Sequence, residues 1–427
     1  MKGGKRGLRA ALAAGVLAAA SLAALAAPAD ASADARARGE DFDTLWRAVD
    51  AGYTGFGRDG RAAWKAARTK WRPRAVHAAS SRGFLAALEG AVETLHDDAV
   101  TLSRRTPDAP RRVPSESDIH ARWSGDDARV EGVRTFGDAD VAGLRPGDVV
   151  VRIDGRDAAQ AVRALAGEDA GTGARDRALD RLLAGPRFGV LRLDVRDARG
   201  TRSVAIARGA ATGTSAPPVL AHRVGDRRDV GYLRLRPAPG ASTAADTRAL
   251  LRELDAALAA LRGTRGLILD LRETAGPASR AATAAILARL APAGAAWQAR
   301  EMRDGRRIVD RVPEGTRPYA APIVVLVDYW TEGEAEALAA GLREAAGARL
   351  AGTPTAGLAA ATRTITLPHS RIVLRYPGER TLEPDGAPRK ALRPDIAVDL
   401  AAPSGGPGDP ILYQGLKAFE PDPRAPR

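Results

Sequence analysis

From Asp41 to about Leu102 apolar residues recur at three- and four-residue steps: Phe42, Leu45, Trp46, Val49 and Tyr53 in one stretch, Phe84, Leu85, Leu88, Val92 and Leu95 in another. That spacing lays an apolar stripe along amphipathic helices and predicts a helical layer covering another domain. An Arg- and Pro-rich loop, Arg104 to Pro114, closes the layer. The period then changes. Ala128 to Val133 alternates as a strand, a short helix ends at Gly143, Pro146 and Gly147 make a turn, and a second strand runs into Asp154-Gly155. Further on, strands at Val230–Leu235, Gly266–Arg272 and Ile323–Val327 alternate with helices at Ala244–Leu261, Ala281–Leu290 and Glu332–Ala345. Such alternation predicts an α/β layered domain with mostly parallel strand pairing. From Pro403 on, Pro and Gly density predicts a surface tail.

The N-terminus differs from the rest. Lys2, Lys5, Arg6 and Arg9 precede an apolar, Ala-rich run from about Ala10 to Ala27, and small residues follow at Ala27-Pro28-Ala29 and Ala31-Ser32-Ala33. This is the layout of a cleaved secretory signal over residues 1–33, preferred to an uncleaved anchor because the run ends in small-residue cleavage sites. No later stretch is apolar enough to span a bilayer. The expected product is an exported protein, periplasmic or extracellular, with no transmembrane segment after signal cleavage.

Composition narrows the chemistry. Hydrophobic residues make up 45% and charged residues 27%, which is a globular balance, and the length of 427 residues predicts two or three domains. There is no cysteine, so thiol catalysis and thiolate metal sites are excluded. His77, His96, His120, His222 and His369 lack the paired spacing of a zinc site, and neither a metal nor a cofactor is expected. The net charge is +13, and removal of residues 1–29, which hold four basic and no acidic side chains, leaves +9. That excess predicts general attraction to anionic envelope surfaces. No basic run is interleaved with aromatics, so no specific nucleic-acid partner is expected.

The segment Ala142-Gly143-Leu144-Arg145-Pro146-Gly147-Asp148 ahead of an apolar strand resembles a PDZ domain, which binds an extended peptide by strand addition. The resemblance implies a peptide-binding cradle near Trp123, Ser124 and Gly125, where Asp126 and Asp127 would repel a carboxylate and weaken capture. More widely, the chain resembles the tail-specific (C-terminal-processing) serine peptidases, including their tricorn-like branch. The motifs are Phe42-Asp43-x-Leu45-Trp46, Asp97-Asp98, Gly231-Tyr232-Leu233, Asp270-Leu271-Arg272, Asp328 with Thr331-x-x-x-Ala335-Glu336, Gly352-x-Pro354-Thr355-x-Gly357 and Pro394-Asp395-Ile396. The resemblance implies an α/β fold with a crotonase-like spiral α/β core, a PDZ domain and an N-terminal helical cap. The implied domains are a signal peptide (1–33), a helical cap (36–105), a PDZ domain (118–210), the peptidase-family core (228–400) and a Pro/Gly-rich tail (401–427).

The catalytic positions implied by that resemblance are substituted. The nucleophilic serine falls on Gly333, which carries no atom for attack. The lysine base of one branch falls on Leu358 and the histidine base of the other on Ala99. The glycine-rich oxyanion loop after Asp-Leu-Arg here includes Pro277, which has no amide hydrogen. The tricorn-like branch's glutamate has Glu383 as its nearest acid. Fallback hydroxyls are Thr331 and Ser279, with His96 one helical turn from Ala99; Thr331 is expected to cap the helix beginning at Glu332 instead. Glu332, Glu334 and Glu336 are at alternate positions and form no preorganised carboxylate pair. The expected protein is thus a catalytically degenerate relative that binds a polypeptide or a small apolar ligand, as retinoid-binding members of the same core do. The alternative is an active serine endopeptidase that processes protein C-termini in the cell envelope.

Overall fold

The computed structural model describes residues 34–57, 59–168, 170–209, 217–237, 243–277, 279–315, 319–358, 362–402 and 408–420, and the expected signal peptide lies outside them. The described residues form a mixed α/β protein with four sheets, divided into two units.

The first unit contains helices α1 (34–52), α2 (Gly60–Val76) and α3 (Ser81–Glu93), in line with the helical spacing. Phe42, Leu45, Val49, Trp64 and Leu88 are its buried core. Residues 363–377, within the sequence span expected for the α/β core, pack here instead. They supply β15 (Thr362–Thr366) and β16 (Val373–Pro377), with β16 antiparallel to β1 (Thr101–Leu102). Leu367, Ile372, Leu374 and Tyr376 complete the helical core.

The second unit opens with an antiparallel sheet in the order β2 (Ile119–Ser124), β3 (Asp127–Val133), β4 (Val149–Ile153), β6 (Gly189–Asp197) and β7 (Gly200–Arg208), with β5 (Arg156–Asp157) paired to β4. Helices α4 (Asp138–Val141), α5 (Ala158–Ala166) and α6 (Thr172–Ala184) belong to this lobe. Ile119, Val130, Leu144, Leu179, Leu191 and Ile206 fill its interior.

A second large sheet, also of six strands, follows in the order β18-β14-β13-β10-β9-β8. Strands β9 (Val230–Leu235), β10 (Gly266–Asp270), β13 (Ile323–Val327), β14 (Arg349–Gly352) and β18 (Ile396–Ala397) run parallel, and β8 (Val219–Val224) pairs antiparallel at the edge. Parallel neighbours require crossovers. These are α7 (Ala244–Ala260), α8 (Arg280–Leu290) and α9 (Glu334–Ala346), whose Leu254, Leu287 and Leu338 pack on Leu269 and Val325. A three-stranded sheet of β12 (Arg307–Arg311), β11 (Ala296–Glu301) and β17 (Arg380–Leu382) completes the unit.

The expected surface tail differs from the structure. Pro410–Lys417 forms α10, whose Ile411, Leu412 and Leu416 pack with Phe419 against Ile268, Val324 and Leu326 of the large sheet. The local signals were present: Pro410 fits the first helical turn, and the Asp409 carboxylate accepts the Ile411 and Leu412 N–H groups at 3.1 Å each. Arg272 holds the same carboxylate at 2.7 Å. Burial of a side chain such as Ile411 contributes about 1.5–3 kcal/mol toward docking the segment, against its ordering entropy.

Candidate functional site: a strand–turn–helix headed by glycine

The run Ile323–Val327 is fully buried as β13, and the chain then turns sharply through Asp328–Gly333 into α9. Gly333 is the N-cap residue, at φ 57° and ψ −123°. L-residues rarely adopt this backbone, so the turn is strained for anything but glycine. Space is not the obstacle, because a Cβ at Gly333 would meet only the Ala275 carbonyl oxygen at 3.5 Å. A sharp strand–turn–helix of this kind can present a side chain at a helix N-terminus, and glycine supplies none here.

The helix starts two residues later than the sequence suggests, and Thr331 does not cap it. Its side chain is fully buried and faces inward: Oγ1 donates to the Leu271 carbonyl at 2.9 Å and accepts the Asp328 N–H at 3.0 Å. The first-turn amides are satisfied from a distant loop instead. The Glu332 N–H donates to the Thr274 carbonyl and the Ala335 N–H to the Ala275 carbonyl, both at 3.1 Å. Gly276 permits this approach, since a Cβ there would stand 2.3 Å from the Ala335 nitrogen. Pro277 is buried beside it. An oxyanion hole needs amide donors aimed at developing charge. Here the Glu332 and Ala335 amides flanking Gly333 are committed to carbonyls.

Two buried carboxylates, Asp328 and Glu336, and the partly buried Glu334 surround the turn. Asp328 accepts the Glu273 N–H at 3.1 Å, and burial pushes its pKa up to about 6. Glu334 accepts from the Thr283 hydroxyl at 2.6 Å and is raised by burial. Glu336, fully buried, accepts from the Thr355 hydroxyl at 2.7 Å and the Leu358 N–H at 2.9 Å, and burial pushes it up to about 7. As their spacing predicts, Glu334 and Glu336 address different partners. Leu358 therefore approaches α9 through its backbone amide, while its aliphatic side chain offers no proton acceptor.

Of the fallback residues, Thr331 and Ser279 are engaged structurally. Ser279 caps α8, its hydroxyl accepting the Ala282 N–H at 3.3 Å. Ala99 and His96 lie in the first unit, in the turn after α3: the Ala99 N–H donates to Asp97 at 2.9 Å, and His96 is exposed at φ 48°. Glu383 pairs with Arg389 at 3.1 Å. Among the described residues no cluster of three His, Cys, Asp or Glu side chains is placed to hold a metal.

The three residues expected to form a peptide cradle do not make one. Ser124 pairs with Asp127 across a two-residue hairpin turn in which Gly125 has φ 63°, and Asp127 is bound by Arg196 at 2.7 Å. Trp123 lies on β2, its indole under the Arg175 guanidinium. Strand β2 is an edge strand, yet the Ala121 and Trp123 N–H groups donate to Asp180 and Asp176 of α6, each at 3.1 Å. Side-chain carboxylates thus occupy the positions that an added strand would take.

The sequence reading missed Tyr329 and Trp330, which carry the turn into this lobe. Tyr329 stacks on His120 with centroids 3.5 Å apart, and its hydroxyl donates to Asp180 at 2.9 Å. The Trp330 indole N–H donates to the Ser117 carbonyl at 2.8 Å. Two aromatics next to Asp328 were the available signal, but nothing local named their partners.

Comparison with known proteins agrees with the geometry. Residues 229–398 match the model of peptidase family S41. Among solved structures, a photosystem II D1 C-terminal processing protease is 21% identical, with a TM-score of 0.52 over 85% of this chain and 93% of its own. Mature CPAF is 15% identical, with a TM-score of 0.54 over 91% of this chain and 96% of its own. A lipoprotein from Streptococcus agalactiae is 12% identical, with a TM-score of 0.50 over 90% and 96%. At these identities the structures establish the fold alone. No curated protein sequence matches. Residues 229–398 are thus a domain of the peptidase family S41 type.

Proposed function

We propose that this protein is an exported pseudopeptidase, which binds a polypeptide or a small apolar ligand in the former active-site cleft without cleaving it. Its core is read as the crotonase-like spiral of the family, the helical unit as its cap, and the 118–210 lobe as a PDZ domain; residues 1–33 are read as the export signal, and its basic surface as favouring anionic envelope components. One observation carries the reading. Gly333 stands at the head of α9 with its strained turn intact, and the two fallback hydroxyls, Thr331 and Ser279, are held in structural hydrogen bonds. Removing one member of a catalytic triad lowers turnover by several orders of magnitude. Loss of nucleophile, base and oxyanion donors together leaves binding as the retained activity.

The test is incubation of the mature protein with casein and with C-terminally tagged peptides, read by mass spectrometry for new termini. No new termini are expected. Turnover that disappears on substituting Thr331 or Ser279 by alanine would establish the active-peptidase alternative.

A further inference from the structure

The turn and the oxyanion-loop remnant face an arginine cluster that neither hydrolysis nor core packing uses. Arg134 lies with its guanidinium 5.3 Å from the Trp330 ring centroid, and its Nη1 donates to the Ser115 carbonyl at 3.2 Å. Glu273, Asp328, Glu332 and Arg236 are its charged neighbours, and burial lowers its pKa. Its Nε is buried without a hydrogen-bond partner among the described residues. The Nε atoms of Arg234 and Arg236 share that condition. Both arginines converge on the Glu273 carboxylate, Arg234 at 3.7 Å and Arg236 in a short contact that also takes in the Glu273 carbonyl. Glu273 itself is held at φ 54°. One carboxylate thus serves two guanidiniums, and the third makes a single backbone hydrogen bond.

We infer that Arg134, Arg234 and Arg236 form a binding site for a carboxylate-bearing ligand beside the degenerate turn. Guanidinium groups match a carboxylate fork with paired N–H donors, and a half-buried setting strengthens each bond. The arrangement supplies three such groups, two of them sharing Glu273 and the third, Arg134, with Asp328 and Glu332 among its charged neighbours, and has Trp330 as an apolar wall. The inference rests on the reading that the cleft binds without hydrolysing.

Thermal unfolding of the mature protein at low ionic strength tests it, with N-acetyl-trialanine, the same peptide as its C-terminal amide, and succinate as probes. A rise in midpoint with the free acid and none with the amide is expected; a response to the peptide acid alone identifies a chain terminus, and a response to succinate alone a small free acid. Arg134→Gln should weaken the response about tenfold or more, and Arg134→Lys should restore part of it, as loss of a charged hydrogen bond predicts. Equal shifts with acid and amide, or no shift with either acid at millimolar concentration, would overturn the site. That comparison uses the unaltered protein, so misfolding of a variant leaves it intact. Cleavage of the peptide would sink the pseudopeptidase reading and leave the carboxylate assignment to stand on its own binding data.

Discussion

At Gly333 two independent costs stand against a serine nucleophile. The first is conformational: φ 57° with ψ −123° is a glycine backbone, so Gly333→Ser should lower stability by about 1–3 kcal/mol even though a Cβ meets only the Ala275 oxygen at 3.5 Å. The second is chemical. A serine hydroxyl needs a proton acceptor, and Leu358, which the resemblance puts at the base position, is aliphatic and engaged through its amide with Glu336. Urea unfolding should report the first cost, and a fluorophosphonate probe the second, with no labelling of Gly333→Ser above background. Labelling at a rate typical of serine hydrolases would reveal a base elsewhere and defeat the site assignment.

Among the elements, the edge strand β2 and helix α6 make the most testable pair. Because Asp180 and Asp176 accept the outward amides of Ala121 and Trp123, an added peptide strand would have to displace two buried or half-buried carboxylates. Titration of the protein with a C-terminal peptide library, read at the lobe by a Trp123 fluorescence change, should therefore show no micromolar, strand-type binding there. Tyr329→Phe should destabilise the protein by about 1 kcal/mol through loss of the 2.9 Å bond to Asp180, with the stacked His120 contact preserved. These contacts also mark the limit of legibility. The strand–turn–helix could be read in sequence because a five-residue apolar run followed by a helical pattern is local information. Its starting residue could not, since the Thr274 and Ala275 carbonyls that satisfy the first-turn amides come from some 60 residues earlier. Distance likewise hid the packing of 363–377 with the helical unit, where Thr101 pairs with Arg375. Helix α10 was hidden by the surrounding Pro and Gly residues, although its own cap and apolar spacing were readable.

For the whole molecule, the buried carboxylates set a direction for the response to pH. Burial holds Glu336 near 7 against an ordinary 4.5 and Asp328 near 6 against 3.8, and raises Glu334 as well. A raised native pKa means that the folded state keeps its proton while the unfolded chain has already released it. Through that window the native state binds more protons, so stability falls as pH rises and the loss is complete only above the folded pKa. For Glu336 the window spans about pH 4.5 to 7, and the shift corresponds to roughly 3 kcal/mol. Glu336→Gln removes this titration while leaving an amide oxygen to accept the Leu358 N–H. Urea unfolding of both proteins at pH 5, 6, 7 and 8 should show the variant gaining on the parent as pH rises, by on the order of 2–3 kcal/mol at pH 8 relative to pH 5. A stability difference that stays constant across that range would mean Glu336 is ionised throughout, and that the Thr355 and Leu358 donors outweigh its burial.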